Sequence, residues 1–160
     1  KRREECGRAI QTEKDGVDCD LKAASLTRNG RGKKIFEQLA KEERKHAGHF
    51  FTIYTGSDLG SFDEFMAQPP NPDHAMLAQL EEALDEDVHE RRAMALAMTE
   101  EENLLKSLRL AASRIVDPAV RSVFDRMAEE TESHSAIIES EYAHMMGMVH
   151  ETDIDTYVRE

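Results

Sequence analysis

Apolar residues recur at three-to-four spacing through most of this chain, a pattern that predicts long amphipathic helices. The first runs from about Glu4 to Leu26 on Ala9, Ile10, Val17, Leu21 and Ala24. Asn29-Gly30 is expected to end it, as a pair suited to left-handed backbone. The second spans about Gly32 to Tyr54, with Ile35, Phe36, Leu39, Ala40, Ala47 and Phe50 on its inner stripe. Thr55 to His74 reads as a linker punctuated by Gly56, Gly60 and Pro69-Pro70-Asn71-Pro72, in which Phe62, Phe65 and Met66 pin a short helical turn. A helical stretch from Ala75 to about Leu84 precedes a third main helix from about Asp87 to Ile115. Asp117-Pro118 supplies the N-cap and first-turn proline of a fourth, which runs to about Met146 with Val120, Phe124, Met127, Ala128, Ile138 and Tyr142 facing in. The acidic tail 148–160 is expected to be only partly ordered. Short connections fold helices one and two, and three and four, into antiparallel hairpins. The long linker 55–86 is then a crossover, and the fold class is an all-α four-helix bundle.

The two hairpins repeat one another. An ungapped shift of 88 residues pairs Ala9 with Ala97, Glu13 with Glu101, Ala23 with Ala111, Phe36 with Phe124, Glu42 with Glu130, His46 with His134 and Tyr54 with Tyr142. Ile35/Val123 and Leu39/Met127 are conservative pairs. The repeat covers about 9–54 and 97–142 of a single domain spanning 1–160. One pair breaks it: Glu43 is matched by Thr131.

The inner stripes carry carboxylates. On a helix, positions three and four away share a face. Glu13 is flanked in this way by Ala9, Ile10, Gly16 and Val17, Glu101 by Ala97, Met98, Leu104 and Leu105, and Glu43 by Leu39, Ala40, His46 and Ala47. Neighbours such as Glu42 and Glu102 are expected to point elsewhere. An ionised carboxylate in an apolar core costs several kcal/mol unless a cation or hydrogen-bond donors meet it. Several at one level of a bundle would repel one another without a metal between them. Taken singly, an inward Glu or His is more often a satisfied core polar group or an arginine partner than a ligand. At repeat-related positions they point to metal. Carboxylate oxygen with imidazole nitrogen suits iron or manganese, and zinc could also be held.

Composition narrows the field further. A net charge of −12 argues against nucleic acid and anionic membrane as partners. Cys6 and Cys19 lie thirteen residues apart on one expected helix, roughly 20 Å at 1.5 Å per residue, beyond disulfide reach. No Cys-x-x-Cys pair occurs, which excludes a thiolate iron knuckle or zinc ribbon within these residues. No apolar run approaches the ~20 residues of a membrane span. Lys1-Arg2-Arg3 leads into Glu4-Glu5 and not into an apolar signal core, so a reducing cytoplasm is the expected location.

Ala9–Gly16 with Lys22-Ala23-Ala24, Ile35–His46, Ala97–Glu102, and Val123–Glu130 with His134 together resemble the rubrerythrin-like branch of the ferritin-like di-iron carboxylate superfamily. The resemblance covers about residues 5–146 and no rubredoxin-like domain. It implies a ferritin-like bundle whose halves each carry a Glu helix followed by a Glu-x-x-His helix. It also implies a non-haem site of two irons that acts on peroxide, dioxygen or ferrous iron, hence an oxidoreductase. A homodimer and a separate electron donor are implied as partners. Carried over by position, the metal ligands are Glu13, Glu43, His46, Glu101 and His134. Glu13 and Glu43 with His46 would hold one metal, and Glu101 and His134 the other, sharing a bridging Glu. No catalytic residue apart from these ligands is implied.

Two departures bear on function. Thr131 replaces an expected Glu, and Met127, Ala128 and Ser135 on its face offer no substitute. Three carboxylates leave two ferrous ions one unit positive, so that water or an anion fills the gap or the second metal is lost. Cys19-Asp20 stands where the family usually has Phe-Tyr. Asp20 is seven residues after Glu13 on the same face, about 10 Å along the axis. It either restores the missing charge, as an outer group or an unusual ligand, or only marks a more polar end of the bundle. The alternative to an enzyme is a degenerate relative with one metal or none, serving as a dimerisation or regulatory module. His49 is assigned to the helix surface or a dimer interface, and His74, His89, His144 and His150 to solvent. Met145, Met146 and Met148 are assigned to packing against a partner helix.

Overall fold

The computed structural model describes the backbone of residues 2–83 and 89–158, and the side chains of 2–80 and 91–144. Among these residues the protein is helical with no strand, in the order α1 (Arg2–Leu26), α2 (Gly30–Ile53), α3 (Phe62–Met66), α4 (Ala75–Ala83), α5 (His89–Arg114) and α6 (Pro118–Val158). Gly7 lies against Tyr54, Glu13 beside His46 and Gly16 beside Glu43, so α1 and α2 run antiparallel. Arg109 pairs with Glu132 while Arg121 Nε donates to the Ala112 carbonyl at 3.1 Å, which sets α5 and α6 in the same relation. Helices pack extensively within each pair and more sparingly between pairs, α1 on α5 and α2 on α6. No helix among the described residues is long and apolar enough to cross a membrane.

Asn29 does not end α1 in a left-handed conformation. Its backbone is extended (φ −74°, ψ 121°), and its side chain accepts from the amides of Arg31 and Gly32 at 2.8 and 3.2 Å. A short amide side chain satisfies free N–H groups at a helix start as readily as it tolerates left-handed backbone, and capping prevails. Among the described residues only Gly60 has a positive φ, 73°. Helix α6 runs past Met146 to Val158 instead of giving way to a loose tail. No proline interrupts it, and Gly147 costs only about 1 kcal/mol relative to alanine. Leu21, expected inside, is 52% exposed, and Cys19, Asp20, Ala23 and Ala24 carry the inner face there. The side chains of His89, His150, Met145, Met146 and Met148, and residues 84–88 and 159–160, lie outside the described residues.

The crossover is tied to the bundle at several points. Phe65 and Met66 of α3 and Met76 and Leu80 of α4 are buried in it. Lys14, 2% exposed, pairs with Asp18 and donates to the Gln68 carbonyl at 2.9 Å. The apolar interior falls into two clusters. One gathers Ile10, Phe50, Leu108, Phe124 and Met127, the other Phe36, Leu39, Leu80, Met94 and Ile138. A polar layer separates them.

Candidate metal centre

Glu13, Asp20, Glu43, His46, Glu101 and Thr131 make up this layer, none more than 4% exposed. Helix α1 contributes a stripe of carboxylate, gap and carboxylate: Glu13, Gly16, Asp20. The gap is occupied by the Glu43 head group of α2. A Cβ on Gly16 would lie 3.0 Å from Glu43 Cδ and 3.1 Å from both its oxygens, so glycine makes the room that Glu43 needs. Glu43 thus sits between two groups of donors.

Toward one side, Asp20, Glu43 and Glu101 offer oxygens that all lie within 4.8 Å of one another, a grouping able to hold a cation. Toward the other, Glu13 Oε1 is 3.5 Å from His46 Nδ1. The His46 and His134 rings stack with centroids 5.5 Å apart. His46 Nε2 lies 2.8 Å from Glu130, and His134 Nε2 lies 3.7 Å from Glu42. Glu42 and Glu130 are repeat partners, so the two contacts are the same contact made twice across the α2–α6 seam. Glu42 therefore does not point away from the centre as its position on α2 suggests.

Electrostatics marks the layer as unsatisfied. Both oxygens of Glu13, Oε2 of Glu43 and both ring nitrogens of His46 are buried and lack a partner in hydrogen-bonding geometry. His46 is within ion-pair distance of two carboxylates, yet its N–H directions miss them. Burial, with Asp20 and Glu101 adding to it, pushes the Glu43 carboxyl well above the usual range. Asp20 and Glu101 are each raised to about 7, chiefly by burial. Burial also raises Glu13, against the pull of His46. Burial would lower His46, but Glu13 and then Glu130 raise it overall. Burial and then His46 lower His134. Buried polar atoms are normally partnered, and a group of orphans at one level costs several kcal/mol unless something binds them. A divalent metal ion fits this donor set of hard oxygens and imidazole.

The family model for Rubrerythrin matches residues 6–142. The chain belongs to the rubrerythrin family. Neither a search of curated proteins nor one of solved structures gave a match. Membership accounts for the duplicated helix pairs and the inward Glu and His of each rubrerythrin-type half. Glu13, Glu43, His46, Glu101 and His134 all face the layer, His134 from its rim at 14% exposure. They divide differently from the expected grouping: Glu43 joins Asp20 and Glu101, while Glu13 stays with His46. Thr131 faces inward too, but its hydroxyl donates to the Met127 carbonyl of its own helix at 2.8 Å.

The assignments of Asp20 and His74 change, while those of His144 and His49 do not. Asp20 belongs to the layer itself and not to a merely polar end. His74 is only half-exposed and lies 3.5 Å, through Nδ1, from the buried Cys19 thiol. His144 is exposed, 3.0 Å from Arg31. His49 is half-buried on α2, and no described contact joins it to the layer. Glu130, the partner of His46, sits one position, about 100°, off the inner stripe, so periodicity does not mark it. Its pairing with Glu42 in the repeat was the available signal.

Proposed function

We propose that the chain is a rubrerythrin-type oxidoreductase that acts on peroxide, dioxygen or ferrous iron through a pair of iron ions, with electrons from a separate donor. The observation that carries this reading is the buried layer of four carboxylates and His46, in which both oxygens of Glu13, Oε2 of Glu43 and both nitrogens of His46 lack partners, with His134 at its rim. Iron bound there would supply the one-electron steps needed to cleave an O–O bond, or would itself be the substrate oxidised. Glu13, Glu43, His46, Glu101 and His134 would hold it, with zinc or manganese as competing occupants.

The chain's own residues divide the remaining tasks. Glu130, at ion-pair distance from the outer nitrogen of His46, and Glu42, near that of His134, are the carboxylates placed to fix the two rings with Nδ1 of His46 toward Glu13 and the centre once metal is bound. Such carboxylate–imidazole pairs fix ring orientation and raise ligand basicity. The apolar clusters on either side keep bulk water from the layer. A cleft of about 250 Å³ on the α2–α6 seam, lined by Ile35, Gln38, Leu39, Glu42, His134 and Ile137, reaches the more open imidazole and is wide enough for a small oxidant. A homodimer is part of the same reading, since Leu110 and Ile137 are more than half exposed and pairing could cover them.

The inward turn of Thr131 onto its own backbone favours a second reading, a relative holding one metal or none. Stopped-flow mixing separates the two. Ferrous-loaded protein is expected to be oxidised by peroxide or dioxygen at least tenfold faster than free ferrous ion, two irons per peroxide. Oxidation no faster than free iron would support the second reading and contradict the enzyme.

A further inference from the structure

We infer that Asp20 is a metal ligand that replaces the carboxylate missing at position 131, so that the second metal sits between α1, α2 and α5 and not against α6. The assignment rests on the metal-centre reading above and adds the identity and position of its fourth carboxylate.

Three observations support it. Asp20 has no twin: the repeat-equivalent position holds Leu108, buried in the apolar cluster on the opposite side of the layer, so the repeat pattern itself calls for no carboxylate at this position. Asp20 is nevertheless 4% exposed, and its oxygen lies within 4.8 Å of oxygens from both Glu43 and Glu101. The nearby buried cation, Lys14, is directed away from the group, to Asp18 and the Gln68 carbonyl. Independently, Glu43 Oε2 is buried without a partner, and Gly16 leaves the space in which that head group lies between Glu13 and Asp20. A carboxylate in that place can bridge an ion held by Glu13 and His46 and another held by Asp20 and Glu101. Thr131, bonded to the Met127 carbonyl, adds no ligand from α6. Four carboxylates then balance two divalent ions, which three could not.

Manganous ion serves as the probe, counted by the loss of its free-ion paramagnetic resonance signal. Wild-type protein is expected to bind two manganese ions per chain. Asp20→Asn, which keeps shape and removes charge, is expected to retain one and to bind the second at least tenfold more weakly. Adding Thr131→Glu to Asp20→Asn should restore the second ion. Asp20→Leu, matched to the natural Leu108, gives the same readout in an apolar background should the amide not fold. Two ions bound by Asp20→Asn or Asp20→Leu with wild-type affinity would overturn the assignment of Asp20. No saturable binding by the wild type would instead overturn the metal-centre reading beneath it.

Discussion

Metal-free protein is expected to lose stability as the pH rises from about 4 to just above 7, opposite to the behaviour of a protein held by surface carboxylate pairs. Asp20 and Glu101 titrate near 7 in the folded chain against ordinary values of 3.8 and 4.5. Between those limits the folded state binds more protons than the unfolded state, so unfolding becomes easier as protons leave. Raised Glu13, Glu43 and His46 act in the same direction. His134, held low, opposes them below 6.5. Each pKa unit is worth about 1.4 kcal/mol, but neighbouring carboxylates share protons, so a total on the order of 3 kcal/mol is expected. That corresponds to a fall in Tm of roughly 10 °C for a chain of this size. Thermal melts by circular dichroism with a chelator present, across this range, would show it. Saturating manganous ion should reverse the slope, because metal replaces protons on the same oxygens. A chelated protein whose Tm is flat or rises with pH would contradict the electrostatic account of the layer.

Glu43→Gln is expected to stabilise the metal-free protein while abolishing its response to metal. Burial and its carboxylate neighbours hold the Glu43 proton on, so the gain appears above neutral pH. There the wild-type layer must give up its protons, and the substitution removes the most crowded charge from a group of three, a relief on the order of 1–2 kcal/mol. The Glu43 head group lies between both groups of donors, so metal affinity should fall on the order of a hundredfold or more. Differential scanning calorimetry with and without manganous ion measures both effects. Had Glu43 been an ordinary satisfied core residue, Gln would lower the Tm and leave any metal shift unchanged. The opposing signs distinguish a ligand from a structural polar group.

The bundle was legible in the sequence because two copies of the pattern agree on period and inward positions. Glu13/Glu101 and His46/His134 could be found by that agreement alone. What escaped has physical causes. Periodicity assigns faces but not reach: Glu42 and Glu130 leave the inner stripe by one residue, yet a glutamate side chain crosses the α2–α6 seam to an imidazole. Asp20 has no repeat partner, so its role depends on where Gly16 lets Glu43 lie, a contact between helices that no single-helix pattern contains. Asn29 suited both a helix end and a helix start, and only the tertiary turn decided between them. Lys14 appears in sequence as one more surface cation. Its burial depends on the crossover laying the Gln68 carbonyl over it.

If the layer of unpartnered groups holds two metal ions, an anaerobic ferrous titration of the wild-type chain saturates at two irons per chain, with a rise in Tm that Glu43→Gln abolishes. A wild-type chain that takes up no iron saturably, and melts at the same temperature with and without it, would contradict the metal-centre reading.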